Sequence, residues 1–228
     1  MPDFAYQAVL FDMDGVVLDS MEQHAAAWLR VMGEAGLHVE REFVLLHEGC
    51  LQTEVLEKLL QEQGVILPPG QGAAEFMLRL LDGQRRLYLE EFARQVAPFR
   101  GAAGLLRALA SRGVPTALVT SSRRDQVDSC LPEGLLRSFA HIVTSDDVTR
   151  HKPHPEPYLK ASQALGVAAD GCLVVENAPA GIAAARAAGA VCYAVATTLG
   201  REHLSQAHAV FSGLDELTHY LGMGGAGE

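Results

Sequence analysis

The chain of 228 residues has no uninterrupted apolar run near the roughly 20 residues that a membrane span needs, and residues 1–6 carry no basic segment ahead of an apolar one. Neither a membrane partner nor a signal peptide is therefore expected. Cysteine is scarce: Cys50, Cys130, Cys172 and Cys192 are the only four, with no C-x-x-C and no paired spacing. That argues against disulfides and a structural zinc site and for reduced thiols in a cytoplasmic protein. Basic residues are also few, 18 Lys and Arg against 28 Asp and Glu, for a formal charge of −10. Nucleic acid and anionic membranes reward a basic face, so neither is the expected partner. No G-x-G-x-x-G follows the first apolar run, and a dinucleotide-binding reading fails on its own signature. There is no internal repeat, and only the tail GMGGAGE (222–228) reads as disordered.

What the chain does have is 49% apolar residues, enough for a sizeable core. Short apolar runs ending in polar residues recur: AVLFD (8–12), TALVTSS (116–122), HIVTSD (141–146), CLVVEN (172–177) and CYAVA (192–196). Helix-like segments such as 101–113 and 180–189 lie between them, the alternation of a doubly wound, Rossmann-like α/β fold with a parallel sheet. In such sheets ligands bind beyond the carboxyl ends of the strands, where Asp12, Thr120, Ser121 and Glu176 would stand. Residues 19–94 break the alternation with helix after helix, at 21–36, 53–64 and 73–95, punctuated by Gly and Pro. They read as an α-helical domain inserted into a core of residues 1–18 and 95–228. The insertion holds 13 acidic residues against 7 basic, more than half of the net charge.

In AVLFDMDGVVLDS (8–20), Asp12 and Asp14 sit two positions apart with Gly15 directly after them. Carboxylates this close repel, and a solvated turn or a bound cation and substrate would make the pair tolerable. Like charges at short range also raise one pKa of a pair, which suits a carboxyl that must start a reaction neutral. Gly15 frees the backbone to turn away from the strand.

FDMDGVVLDS, the TSS that ends a strand, HKPHPEPY (151–158) and VVENAPAGIAAARAAG (174–189) resemble, in order and spacing, the four motifs of the haloacid dehalogenase-like hydrolases. The branch that is most similar contains β-phosphoglucomutase and phosphoglycolate phosphatase, with a helical cap inserted after the first motif. The resemblance covers nearly the whole chain. It implies an enzyme that cleaves a small phosphomonoester, a sugar phosphate or phosphoglycolate, with Asp12 as the nucleophile that forms an acyl phosphate. Asp14 would protonate the leaving oxygen and then accept a proton from the attacking water. Asp12, Gly15, Thr120, Ser121 and Lys152 would engage the phosphate, with Lys152 supplying positive charge. Mg²⁺ would be the cofactor, held by Asp12, the Asp14 main chain, Glu176 and Asn177. Relatives in this branch usually carry Glu-Asp where this chain has Glu176-Asn177, which removes one negative charge and implies weaker Mg²⁺ binding. The cap would close over the core and select the substrate.

Two cap positions extend the resemblance. His24 and Trp28 stand where β-phosphoglucomutase has His and Trp, and His24 could serve the proton traffic of Asp14 or simply pack a helix face. Gln52 occupies the place of a mutase arginine that grips a second phosphate, which favours hydrolysis over the alternative of a phosphosugar mutase. Arg85 and Arg86 could replace that charge or form a solvated face. His151 and His154, separated by a proline and without a third ligand, do not read as a metal site. A non-catalytic module that senses phosphate or Mg²⁺, comparable to a receiver domain, has no use for an inserted cap. A monomer that binds a small phosphorylated metabolite is the expectation.

Overall fold

The computed structural model describes residues 5–47, 53–67, 69–70 and 72–223. It divides into two compact units, Met1–Asp19 with Ala97–Glu228, and Ser20–Val96. The first opens with Ala8–Phe11 (β1), buried along its full length. The Met13 carbonyl then accepts the amides of Val17 and Leu18, both at 2.9 Å, and curls the chain into a tight loop before Leu18–Asp19 (β2).

The second unit is helical, with Met21–Glu34 (α1), Arg41–His47 (α2), Thr53–Glu62 (α3) and Ala73–Leu87 (α4). Helix α1 buries Ala25, Trp28 and Met32, and α4 buries Phe76, Met77, Leu80 and Gln84, the spacing of one helix face each. The sequence predicts one helix over 73–95. Instead the α-helix stops at Leu87, a π turn covers Tyr88–Phe92 and a 3₁₀ turn covers Ala93–Gln95. The buried positions explain the change, since they step by four residues up to Tyr88 and then by five to Ala93, which is the π spacing.

The chain re-enters the first unit at Ala97–Pro98 (β3), which pairs antiparallel with β2, Asp19 opposite Ala97. The rest alternates helix and strand: Ala102–Ser111 (α5), Thr116–Val119 (β4), Arg124–Cys130 (α6), Glu133–Leu136 (α7), His141–Val143 (β5), Glu156–Ala164 (α8), Cys172–Glu176 (β6), Pro179–Ala187 (α9), Val191–Val195 (β7), Ala209–Phe211 (β8) and Leu214–Tyr220 (α10). Six strands form one parallel sheet in the order β5-β4-β1-β6-β7-β8, the doubly wound α/β architecture that the alternation predicts. The central strands β1, β4 and β6 are buried throughout, as parallel strands covered on both faces must be. Ala8, Leu10, Ala117, Val119 and Val174 pack in one cluster with Tyr158 and Ala161 of α8 and Ile182 and Ala185 of α9. The edge strand β8 has no counterpart in the sequence reading. Among the described residues no helix is long and apolar enough to cross a membrane. Residues 224–228 of the tail expected to be disordered lie outside the described residues.

Candidate active site

The strand order reverses at β1, which has β4 on one side and β6 on the other, and this is where an open α/β sheet forms its ligand crevice. Phe11 is level with both Leu118 and Val175, so the residues that leave the three strands, Asp12, Thr120 and Glu176, emerge at nearly the same height. The Asp12 amide still donates to the Val175 carbonyl (3.0 Å) and the Thr120 amide to the Val143 carbonyl (2.9 Å), so both positions are anchored by the sheet.

Lys152 reaches this point from the loop before α8. Its ammonium donates to Asp12 Oδ1 at 2.6 Å, to Glu176 Oε1 at 2.8 Å and to the Val119 carbonyl at 3.1 Å, which uses all three of its N–H groups. The loop is fixed by hydrogen bonds as well as prolines, since the Glu156 carboxylate accepts the amides of Thr149 (2.7 Å) and Arg150 (3.1 Å). His154 Nδ1 accepts the Glu156 amide, so this histidine serves the loop. Among the described residues no three His, Cys, Asp or Glu side chains converge as a metal cluster.

Burial is the dominant electrostatic fact. It pushes the Asp12 carboxyl up to about 7, opposed by the Lys152 ammonium and reinforced by Glu176 and Asp14. Burial alone would push Lys152 down, but Asp12 and Glu176 outweigh it and hold the ammonium above its ordinary value. A single cation thus answers to two buried carboxylates, with Asp14 close by.

Asp14 Oδ2 accepts the Ser122 hydroxyl at 2.9 Å and, at the limit of hydrogen bonding, the Thr120 hydroxyl at 3.5 Å. Thr120 Oγ1 in turn accepts the Ser122 amide (2.9 Å), and Ser121 is half-buried between them. Gly15 has φ +82°, and a Cβ built on it would stand 2.0 Å from Asn177 Nδ2. The close approach is therefore open to glycine alone. The Asn177 carboxamide is buried and donates to Thr198 Oγ1 at 2.9 Å, while the Thr197 hydroxyl donates to the Gly15 carbonyl.

Glu176 is fully engaged. Oε1 accepts Lys152 and the Tyr158 hydroxyl (2.7 Å), and Oε2 accepts the amides of Asn177 (2.9 Å) and Ala178 (3.2 Å) at the start of α9. A carboxylate with four donors has little left to offer a cation, so the geometry makes Glu176 the counter-ion of Lys152.

Sequence reasoning passed over four contributors. Ser122 and Tyr158 lie inside stretches already singled out, TSS and HKPHPEPY, but nothing in either stretch sets them apart from their neighbours. Thr197 and Thr198 follow the end of β7, and the rule that site residues leave strand ends would have found them. His24 is 2% exposed, with Nδ1 at 3.1 Å from Gln84 Nε2 and its ring stacked on Tyr88, centroids 4.0 Å apart, all within the helical unit. Gln52 lies outside the described residues, and with it the cap loop on which the comparison with a mutase turns.

Comparison with known proteins gives concordant results. A sequence model of the family described as haloacid dehalogenase-like hydrolase matches residues 9–195. Validoxylamine A 7'-phosphate phosphatase of Streptomyces hygroscopicus subsp. limoneus is 31% identical over 93% of this chain and 96% of its own. Fructose-1-phosphate phosphatase of Escherichia coli (strain K12) is 30% identical over 81% of this chain and 93% of its own. The crystal structure of a HAD family hydrolase from Deinococcus radiodurans R1 with bound phosphate and sodium superposes with a TM-score of 0.70 at 30% identity, covering 97% of this chain and 98% of that one.

Proposed function

Since this chain belongs to the haloacid dehalogenase-like hydrolase family, we propose that it is a Mg²⁺-dependent phosphatase of small phosphomonoesters, sugar phosphates in particular, that works through a phosphoaspartyl intermediate on Asp12. The observation that carries this reading is the buried Asp12 Oδ1 to Lys152 Nζ contact at 2.6 Å, with Asp14 two residues further on and held by Ser122. The relatives named as phosphatases support the substrate class.

In the reaction an Asp12 carboxylate oxygen attacks phosphorus, the bond from phosphorus to the ester oxygen breaks, and the Asp14 carboxyl gives its proton to the departing oxygen. Asp14, now a carboxylate, takes a proton from water as the water oxygen attacks phosphorus, and the acyl phosphate bond to Asp12 breaks to release inorganic phosphate. The Thr120 hydroxyl and the Ser121 amide hold phosphoryl oxygens. Lys152 stays protonated throughout and offsets the charge of nucleophile and phosphate, the main source of rate in phosphoryl transfer.

The donor set fits a hard divalent cation. Carboxylate, main-chain carbonyl and carboxamide oxygens are the hard donors such a cation takes, and around Asp12 one ammonium serves more than one carboxylate. Asp12, the Asp14 main-chain carbonyl and the Asn177 carboxamide oxygen would hold Mg²⁺, which supplies the remaining neutralisation of the phosphoryl group.

The test is a panel of phosphometabolites together with p-nitrophenyl phosphate, assayed for released phosphate with the wild-type protein and Asp12→Asn. Hydrolysis by the wild type and a loss of several orders of magnitude in the variant are expected. Full activity in Asp12→Asn would remove the proposal.

A further inference from the structure

Tyr158 lies on α8, in the core cluster beneath the sheet, and is 0% exposed. A buried aromatic residue at such a place fills space, and phenylalanine would fill it equally well. The hydroxyl is what needs explaining. It donates to Glu176 Oε1 at 2.7 Å, on the same oxygen that receives Lys152 Nζ at 2.8 Å, and the Lys152 ammonium stands 4.9 Å from the centroid of its ring. One side chain thus touches both members of the ion pair behind Asp12.

The two oxygens of Glu176 are held differently. Oε2 is fixed by two backbone amides, whereas Oε1 answers to Lys152 and Tyr158. Space around Oε1 is also restricted, since a Cβ on Gly181 would stand 1.7 Å from it. A hydroxyl that donates to Oε1 draws off part of the negative charge facing Lys152. Without it, the bare oxygen pulls harder on the ammonium and competes with Asp12 Oδ1 for the same cation.

We propose that Tyr158 is a positioning residue for the phosphatase reaction: through its hydroxyl it fixes the Glu176 carboxylate, and so holds the Lys152 ammonium on Asp12. The inference rests on the reading of Asp12 as nucleophile given above. Lys152 remains charged and able to attract an anion in the absence of the hydroxyl, so substrate affinity is preserved. What is lost is the alignment of the attacking oxygen, which counts only in the transition state.

The experiment is Tyr158→Phe, which keeps the ring and its burial, read by steady-state kinetics with p-nitrophenyl phosphate, by thermal unfolding and by a crystal structure of the variant. Expected are a fall in kcat of about tenfold with KM changed less than about twofold, and a folded protein in which Lys152 Nζ has moved away from Asp12 Oδ1 toward Glu176. An unmoved ammonium overturns the proposal whatever the rates, and so does a wild-type kcat with the ammonium displaced. Asp12→Asn is assayed alongside. If that variant retains full activity, the reading of Asp12 fails on its own account, and the variant structure still decides whether the hydroxyl holds the pair.

Discussion

Lys152 is the residue on which the electrostatics of the site turn. Replacing it with methionine keeps most of the stem's volume but leaves the buried carboxylates of Asp12 and Glu176 without the cation they share, a loss on the order of 3–5 kcal/mol. Denaturant unfolding of Lys152→Met is expected to register that cost at neutral pH, and turnover is expected to vanish with it. Asn177 stands where the resemblance to the mutase-like branch implies an aspartate. Asn177→Asp restores a negative charge beside Asp12 and is expected to tighten Mg²⁺ binding in calorimetric titration, whereas equal or weaker affinity would contradict the ligand assignment. Asp12, Lys152 and Glu176 were within reach of the sequence because each lies in a stretch that carries the resemblance. The engagement of Glu176 was not, because nothing in VVEN tells a carboxylate that faces a lysine, a tyrosine and two amides from one that faces a cation.

At the scale of elements, the sheet decides what the helices may be. Ile182 on α9 is fully buried in the cluster with Val174 and Cys192, whereas Leu159 on α8 is 43% exposed. Ile182→Ala is expected to cost about 2–5 kcal/mol in urea unfolding and Leu159→Ala less than about 0.5 kcal/mol. Comparable losses at both positions would contradict the described packing. The same burial made β1, β4 and β6 legible, since strands covered on both faces are apolar without interruption. Strand β8, which escaped, is a three-residue edge with only Phe211 buried, and unlike the equally short β5 its apolar run does not end in the hydroxyl and acidic residues that mark HIVTSD. The π turn after α4 escaped for a different reason: residues 88–95 favour helix in general, and the one-residue slip appears only once burial is known.

At the scale of the whole molecule, the chain leaves and re-enters the sheet unit through adjacent strands, because Asp19 pairs with Ala97. Residues 20–96 therefore close a loop whose ends already meet, and such insertions burden the host little. Replacing 20–96 with a short Gly-Ser linker is expected to leave a sheet unit that folds and unfolds cooperatively by circular dichroism, while a chain without a cooperative transition would show that the sheet needs the helical unit. The central claim, that Asp12 becomes covalently phosphorylated, is tested most directly by acid-quenching the enzyme during turnover of a phosphomonoester and mapping its peptides by mass spectrometry. One phosphoryl group on the peptide containing Asp12, absent once substrate is exhausted and absent from Asp12→Asn, is the predicted result. Steady turnover with that peptide unmodified at every quench time, in a protein whose Asp12→Asn variant is equally active, would contradict it.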